Sequence, residues 1–91
     1  MVLILKTSVR IVNKRGLHAR AAAKFVKLVE ELDAEVMVSK DSLVVTGASI
    51  MGLLMLSASI DTYINISVRG NDAERALAVL SGLVERGFDE E

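Results

Sequence analysis

The spacing of the apolar residues switches repeatedly along this chain between the two-residue period of strands and the three- to four-residue period of helices. This switching constrains the fold more than any other feature. Four segments alternate apolar with polar residues, as strands do, and three repeat apolar residues every three or four positions, as amphipathic helices do. Strands are predicted at residues 8–12, 35–39, 43–46 and 62–69, and helices at residues 19–32, 49–57 and 71–86. The predicted order is therefore β-α-β-β-α-β-α. Asn71 and Glu74, three residues apart, are predicted to form a capping pair at the start of the last helix, and residues 89–91 are predicted to form a solvated tail.

Each predicted strand has one apolar face, which favours an antiparallel sheet with helices covering one side. The strand at residues 62–69 is the clearest example, because Ile64, Ile66 and Val68 all point to the same side. A chain of 91 residues has room for one core. We therefore predict a single α+β domain over residues 1–91, an open-faced sandwich. The pattern alone leaves open whether it is ferredoxin-like or a related arrangement.

The composition excludes several classes of site. The chain has no cysteine and one histidine, so disulfides, thiolate metal sites and sites with several imidazoles are excluded, and we expect no metal. The net charge of −1 argues against binding to nucleic acid phosphates. Residues 42–60 carry no charge, as a membrane span would, but glycine, serine and threonine interrupt this segment. The apolar start of the chain ends at Lys6, which makes it too short for a signal peptide. We expect no membrane segment and a soluble, cytoplasmic protein.

The residues Gly16 to Ala21 (GLHARA) lie where the first predicted loop enters the first helix. His18 is predicted at or next to the N-cap. The first-turn amides of Ala19, Arg20 and Ala21 have no acceptor within the helix, so they can donate to an anion. The helix dipole adds partial positive charge, and the guanidinium of Arg20 can reach the same point.

This environment favours a phosphoryl group on the imidazole of His18. A neutral ring has a nitrogen lone pair that can act as a nucleophile, and the positive field stabilises the phosphoryl oxygens once they are attached. A single histidine at the start of a helix is more often an ordinary surface residue. The Gly-x-His-x-Arg pattern at a strand-to-helix loop nevertheless points to a phosphoacceptor.

Two motifs resemble the HPr family, the histidine-containing phosphocarriers of the phosphoenolpyruvate-dependent sugar phosphotransferase system, and its nitrogen-related paralogue. They are Gly16–Arg20 running into residues 22–26, and Ser49–Gly52. The resemblance spans essentially the whole chain. It implies a four-stranded antiparallel sheet in the order 1-4-2-3 with three helices on one face.

The resemblance also implies a function. His18 would be phosphorylated on Nδ1, beside Arg20, by Enzyme I charged from phosphoenolpyruvate, and an EIIA protein would receive the phosphoryl group. Such a protein is a carrier and not an enzyme, and we expect a monomer that uses no cofactor. One residue departs from the family, which usually has proline where this chain has Ala21. Alanine restores an N–H near the phosphoryl group, so we expect the site to remain functional with a changed affinity for the phosphoryl group.

Ser49 has two interpretations. It is the predicted N-cap of the short helix at residues 49–57, a structural role worth about 1 kcal/mol. The resemblance implies instead that an ATP-dependent HPr kinase/phosphorylase phosphorylates it in some members. Added negative charge there would weaken the binding of partners.

The short helix also contains more large apolar residues than one stripe can bury. We expect Ile50, Met51 and Leu54, which match the docking surface of the family, to be exposed near His18. Lys24 and Lys27 can steer acidic partners, or they simply form a solvated helix face.

Two other functions stay open from the sequence. One is a purely regulatory HPr-like protein that controls partners through its phosphorylation state, without sugar transport. The other is a small ligand-binding module of the ferredoxin-like kind, whose binding would not depend on His18.

Overall fold

The elements of the fold follow the predicted order. The computed structural model describes residues 3–90. The elements are β1 (Ile4–Arg10), α1 (Ala19–Glu30), β2 (Glu35–Lys40), β3 (Leu43–Thr46), α2 (Ile50–Met55), β4 (Tyr63–Arg69), α3 (Ala73–Glu85) and a 3-10 turn at Gly87–Asp89.

The four strands form one antiparallel sheet in the order β1-β4-β2-β3, and the three helices cover one face of it. This confirms the predicted α+β open-faced sandwich and its strand order. Val9 pairs with Ile64, and Val38 pairs with Ile66. All four side chains are buried, so they mark the face that the helices cover. Because the side chains of a strand alternate, the residues between them face away from the helices.

Strand β1 differs from its prediction at both ends. It begins at Ile4 instead of Ser8 and ends at Arg10 instead of Val12. Its register pairs Ile4 with Arg69 and Arg10 with Tyr63, so β1 is as long as the partner strand that supplies its hydrogen bonds. The extent of a strand therefore depends on its neighbour in the sheet as well as on its own alternation.

Helix α2 is shorter than predicted. It ends at Met55, and Ser57 follows with a φ of 51°. A non-glycine residue in the left-handed region cannot continue a right-handed helix, so the helical pattern stops there although the apolar residues continue.

The start of α3 also corrects the sequence analysis. The expected capping relation between Asn71 and Glu74 does not form. Asp72 is the N-cap residue, and its side chain makes no capping hydrogen bond. Instead the Asp72 carboxylate accepts from the backbone N–H of Asp33 at 2.8 Å, and Asn71 Nδ2 donates to Asp33 Oδ2 at 2.8 Å. Asp33, which is distant in sequence, therefore binds the side chains of both Asn71 and Asp72. These hydrogen bonds join the loop before α3 to the loop before β2.

Candidate functional site

The loop before α1 is fixed by a close approach of two backbone segments. Gly16 has a φ of 65°, and a Cβ at this position would collide with the carbonyl oxygen of Ala58. The next residue, Leu17, donates its N–H to that same oxygen at 2.9 Å, and its side chain is buried. Glycine is therefore required at residue 16, and the loop delivers His18 to the helix at a fixed position.

His18 is the N-cap residue of α1, as predicted. Its backbone is extended (φ −80°, ψ 178°), and its carbonyl accepts the first helical hydrogen bond from the N–H of Ala22 at 2.8 Å. Its side chain makes no capping hydrogen bond, and the first turn contains no acidic residue. The backbone N–H groups of that turn are therefore not used by the cap side chain, and no carboxylate within the turn offsets the positive end of the helix dipole.

The imidazole of His18 is mostly covered, with 14% of the side chain exposed, and one of its nitrogens contacts a carboxylate. Its Nε2 lies 2.7 Å from Oε2 of Glu90. An ionised carboxylate can only accept hydrogen bonds, so Nε2 is the donor. The proton of the neutral ring then resides on Nε2, and Nδ1 keeps its lone pair.

Glu90 is itself held in place by Asn13. The Nδ2 group of Asn13, a buried side chain, donates to Oε1 of Glu90 and also to the carbonyl oxygen of Gly16, the latter at 2.8 Å. The hydrogen bonds from His18 and Asn13, with the charges of His18 and Arg15, hold the pKa of Glu90 below its usual value although partial burial opposes them. This carboxylate is thus ionised and oriented.

The turn after α3 brings Glu90 to the histidine. Gly87, Phe88 and Asp89 have φ values of 66°, 58° and 59°, which reverse the chain, and the ring of Phe88 is fully buried. Lys24 Nζ donates to the carbonyl oxygen of Phe88 at 2.7 Å and ties the turn to α1.

The prediction of a solvated tail at residues 89–91 is therefore wrong for Glu90, and Glu91 lies outside the described residues. Glu90 was not among the residues predicted for the site. One signal was available: a glycine followed by phenylalanine in an otherwise acidic terminus predicts a turn anchored by an aromatic side chain.

The three basic residues predicted for the site, Arg20, Lys24 and Lys27, have different environments in the structure. Arg20 is exposed, and its guanidinium makes no hydrogen bond or ion pair with any residue between 3 and 90. Lys24 is half-buried, and its ammonium group donates to the C-terminal turn, so it has a structural contact as well as its predicted steering role. Lys27 is exposed on α1, as an electrostatic contact would need.

Ser49 caps α2, as one of its two interpretations predicted: its Oγ accepts from the N–H of Gly52 at 3.0 Å. Among the predicted docking residues, Ile50 and Met51 are exposed, at 39% and 71%, but Leu54 is partly buried against the core. Met55 is exposed in its place, at 65%, because residues four apart lie on one side of a helix and Met55 follows Met51 by four.

Other kinds of site are not found in the described part of the chain. Residues 3–90 contain no group of three or more histidine, cysteine, aspartate or glutamate side chains that could hold a metal ion. Within the same range, no helix combines the length and the apolar character needed to cross a bilayer. A surface cavity of about 620 Å³ lies on the sheet, lined by Lys6, Ser8, Ser39 and Asn65 among others, and neither His18 nor Glu90 lines it.

The fold and the site together define a small α+β domain whose one histidine is the N-cap residue of a helix, the arrangement expected of a phosphoryl carrier. A family model described as the phosphorylation site of the HPr component of the phosphotransferase system matches residues 5–86. The chain belongs to this HPr family. It is a phosphocarrier protein of that system, carrying a phosphoryl group on histidine without being an enzyme, and its family places its partners in the same system.

The chain is similar both to proteins named HPr and to proteins named NPr. It is 42% identical over 87 residues to the phosphocarrier protein HPr of Neisseria meningitidis serogroup A, which covers 96% of this chain and 98% of the relative. It is also 42% identical over 86 residues to the phosphocarrier protein NPr of Shewanella violacea, covering 94% of each. The crystal structure of HPr from Thermoanaerobacter tengcongensis superposes with a TM-score of 0.90 at 38% identity, covering 96% of this chain and 98% of that one.

Proposed function

We propose that His18 accepts a phosphoryl group on Nδ1 from phospho-Enzyme I and passes it to an EIIA protein. The observation that carries this proposal is the position of the chain's one histidine at the N-cap of α1, inside the segment that the family model matches. The alternative of a small ligand-binding module would place its ligand in the cavity on the sheet, but neither His18 nor Glu90 lines that cavity, and the family that matches the chain is one of phosphocarriers.

The first turn of α1 supplies the binding groups. The amides of Ala19, Arg20 and Ala21 are the donors that a helix leaves without partners, and they would receive the oxygens of the phosphoryl group. Ala21 has an N–H that proline lacks, so this chain has one more donor here than the usual family sequence. The exposed guanidinium of Arg20 would join them once the anion is present, because no partner among residues 3–90 holds it elsewhere.

Partner proteins would dock on the apolar surface formed by Ile50, Met51 and Met55, with Lys27 attracting acidic side chains. Methionine adapts to differently shaped surfaces, which suits a carrier that meets a donor and an acceptor in turn. The proposed setting is the cytoplasm, where both partners act, and the protein works as a monomer without a cofactor.

We further propose that Ser49 is a regulatory phosphorylation site for an HPr kinase/phosphorylase. Its Oγ already receives the N–H of Gly52, so a phosphoserine would keep a donor at the start of α2. About two negative charges beside Ile50 and Met51 would then oppose docking without unfolding the helix.

The test is a phosphorylation assay. With Enzyme I and phosphoenolpyruvate, the wild-type protein is expected to gain one phosphoryl group of about 80 Da in an acid-labile form. His18→Ala is expected to gain none, whereas Ser49→Ala is expected to gain it normally. A normal yield from His18→Ala would overturn the assignment. Adding an EIIA protein tests onward transfer: if the label stays on the carrier, the purely regulatory function replaces the proposed one.

A further inference from the structure

The C-terminal turn places a carboxylate on the nitrogen of His18 that does not react. We propose that Glu90 is a positioning residue for phosphoryl transfer: it holds the proton of His18 on Nε2, so that Nδ1 is the nucleophile, and it balances the charge that the ring gains. This deepens the proposed function and rests on His18 being the acceptor.

The hydrogen bond to Glu90 has the geometry that fixes the tautomer of His18. The Nε2 to Oε2 distance of 2.7 Å is that of a charge-assisted hydrogen bond, and the acceptor is an ionised carboxylate. A histidine that donates one ring N–H to a carboxylate has its tautomer and its ring orientation fixed by that bond. With the proton on Nε2, only Nδ1 has a lone pair available for attack on phosphorus.

The transfer step leaves a positive charge on the ring of His18. The lone pair of Nδ1 forms the N–P bond while the bond between phosphorus and the donor breaks, and the donor keeps that electron pair. The ring still carries its proton on Nε2, so it leaves the step as a cationic N-phosphoimidazole. In the reverse direction the N–P bond breaks and Nδ1 recovers its lone pair. A carboxylate 2.7 Å from Nε2 stabilises the positive ring in both directions.

Glu90 is held in place before the reaction begins. Asn13 binds its other oxygen, the buried ring of Phe88 anchors the turn, and Lys24 binds the carbonyl oxygen of Phe88. A carboxylate fixed from several sides needs little reorganisation when charge develops on the ring. A solvated acidic tail would not be held in this way, so the arrangement indicates a role in the chemistry of His18.

The first experiment measures the tautomer directly. The ¹⁵N shifts of the two ring nitrogens of His18 distinguish the nitrogen that carries the proton from the one that does not. In the wild type above neutral pH, Nε2 is expected to carry it. In Glu90→Gln a neutral amide can either donate to Nε2 or accept from it, so a mixture of both tautomers is expected. Glu85→Gln, which removes the same charge from an exposed site on α3, is expected to keep the wild-type tautomer.

The second experiment measures transfer without a protein donor. Phosphoramidate supplies a phosphoryl group and releases ammonia, so its rate reports on His18 itself. Glu90→Gln is expected to react about tenfold more slowly than wild type, and to yield a detectable share of product on Nε2, whereas Glu85→Gln matches wild type. The same reduction is expected with Enzyme I.

The outcomes separate the two proposals. An unchanged tautomer and an unchanged rate in Glu90→Gln would overturn the role of Glu90 while His18 remained the acceptor. Phosphorylation of His18→Ala would instead overturn the proposed function. A slower Glu90→Gln whose tautomer matches wild type also counts against the inference, since a purely structural effect would produce it.

Discussion

The helices α1 and α2 begin in similar ways but use their N-termini differently. Both N-cap residues, His18 and Ser49, have extended backbones, and both carbonyls accept the first helical hydrogen bond. The Ser49 side chain turns back and satisfies the amide of Gly52, whereas the His18 side chain turns away toward Glu90. α1 therefore keeps its donors for an anion, and α2 has already used one of its own.

The two helices also differ in length and surroundings. α1 has 12 residues and α2 has 6, so the aligned peptide dipoles of α1 extend over twice as many residues. Of these two helices, α1 has a second segment, the turn at residues 87–90, that binds its N-cap side chain, and no such segment binds Ser49 among the described residues. Because the His18 side chain is bound by that turn, it does not fold back on the amides of α1, and those amides stay available to an anion.

The largest expected effect comes from removing the anchor of that turn. Phe88→Ala is expected to lower the free energy of unfolding by about 3 kcal/mol, because a fully buried aromatic ring is lost and a cavity remains. Phe88→Leu should lose less than about 1.5 kcal/mol. Urea denaturation measures both. A loss below about 1 kcal/mol for Phe88→Ala would show that the turn contributes little to the core.

The second prediction tests the cap of α2. Ser49→Ala is expected to lower the free energy of unfolding by about 1 kcal/mol, since the Gly52 amide loses its acceptor, while phosphorylation of His18 continues. His18→Ser is the opposite case: serine can cap α1, so stability should be kept within about 0.5 kcal/mol while phosphorylation is abolished. Thermal and urea unfolding, paired with the Enzyme I assay, check both. Equal losses of stability from the two variants would contradict the difference between the caps.

The third prediction concerns the donor that this chain has gained. Ala21→Pro restores the usual family residue and removes one N–H from the first turn of α1. The lifetime of the phosphohistidine is expected to shorten, while the free energy of unfolding rises by up to about 0.5 kcal/mol, because proline restricts the unfolded chain. Hydrolysis of the phosphorylated protein and urea denaturation measure the two effects. A longer phosphohistidine lifetime would show that the Ala21 amide does not bind the phosphoryl group.

The smallest effect is a pH dependence of the contact between Glu90 and the residues His18 and Asn13. The pKa of Glu90 is lowered first by the hydrogen bond from His18 and then by that from Asn13, so the folded state favours the carboxylate. Its stabilisation is therefore complete above the usual pKa of glutamate and is lost as the pH falls through the lowered folded value. Carboxyl ¹³C titration of Glu90 should show this low midpoint, and Asn13→Ala should raise it. A midpoint at the usual value in the wild type would contradict the hydrogen bonds seen here.

Much of the site could be predicted because it is local. The apolar periods predict the order of the elements, and the residues Gly16 to Arg20 place an imidazole at the start of α1. The exposure of individual residues was predicted less well. Leu54 and Met55 are neighbours with similar hydropathy, and only the packing of a six-residue helix decided that Leu54 turns toward the core.

Local patterns are enough to predict the α+β class, the order of the elements and the cap residues His18 and Ser49, because periodicity and capping depend on residues a few positions apart. Only folding of the whole chain brings Asp33 to Asp72 and Glu90 to His18. The latter pair lies 72 positions apart in the chain. Contacts of that separation exist only once the core has closed and Phe88 has docked, and no local pattern encodes them.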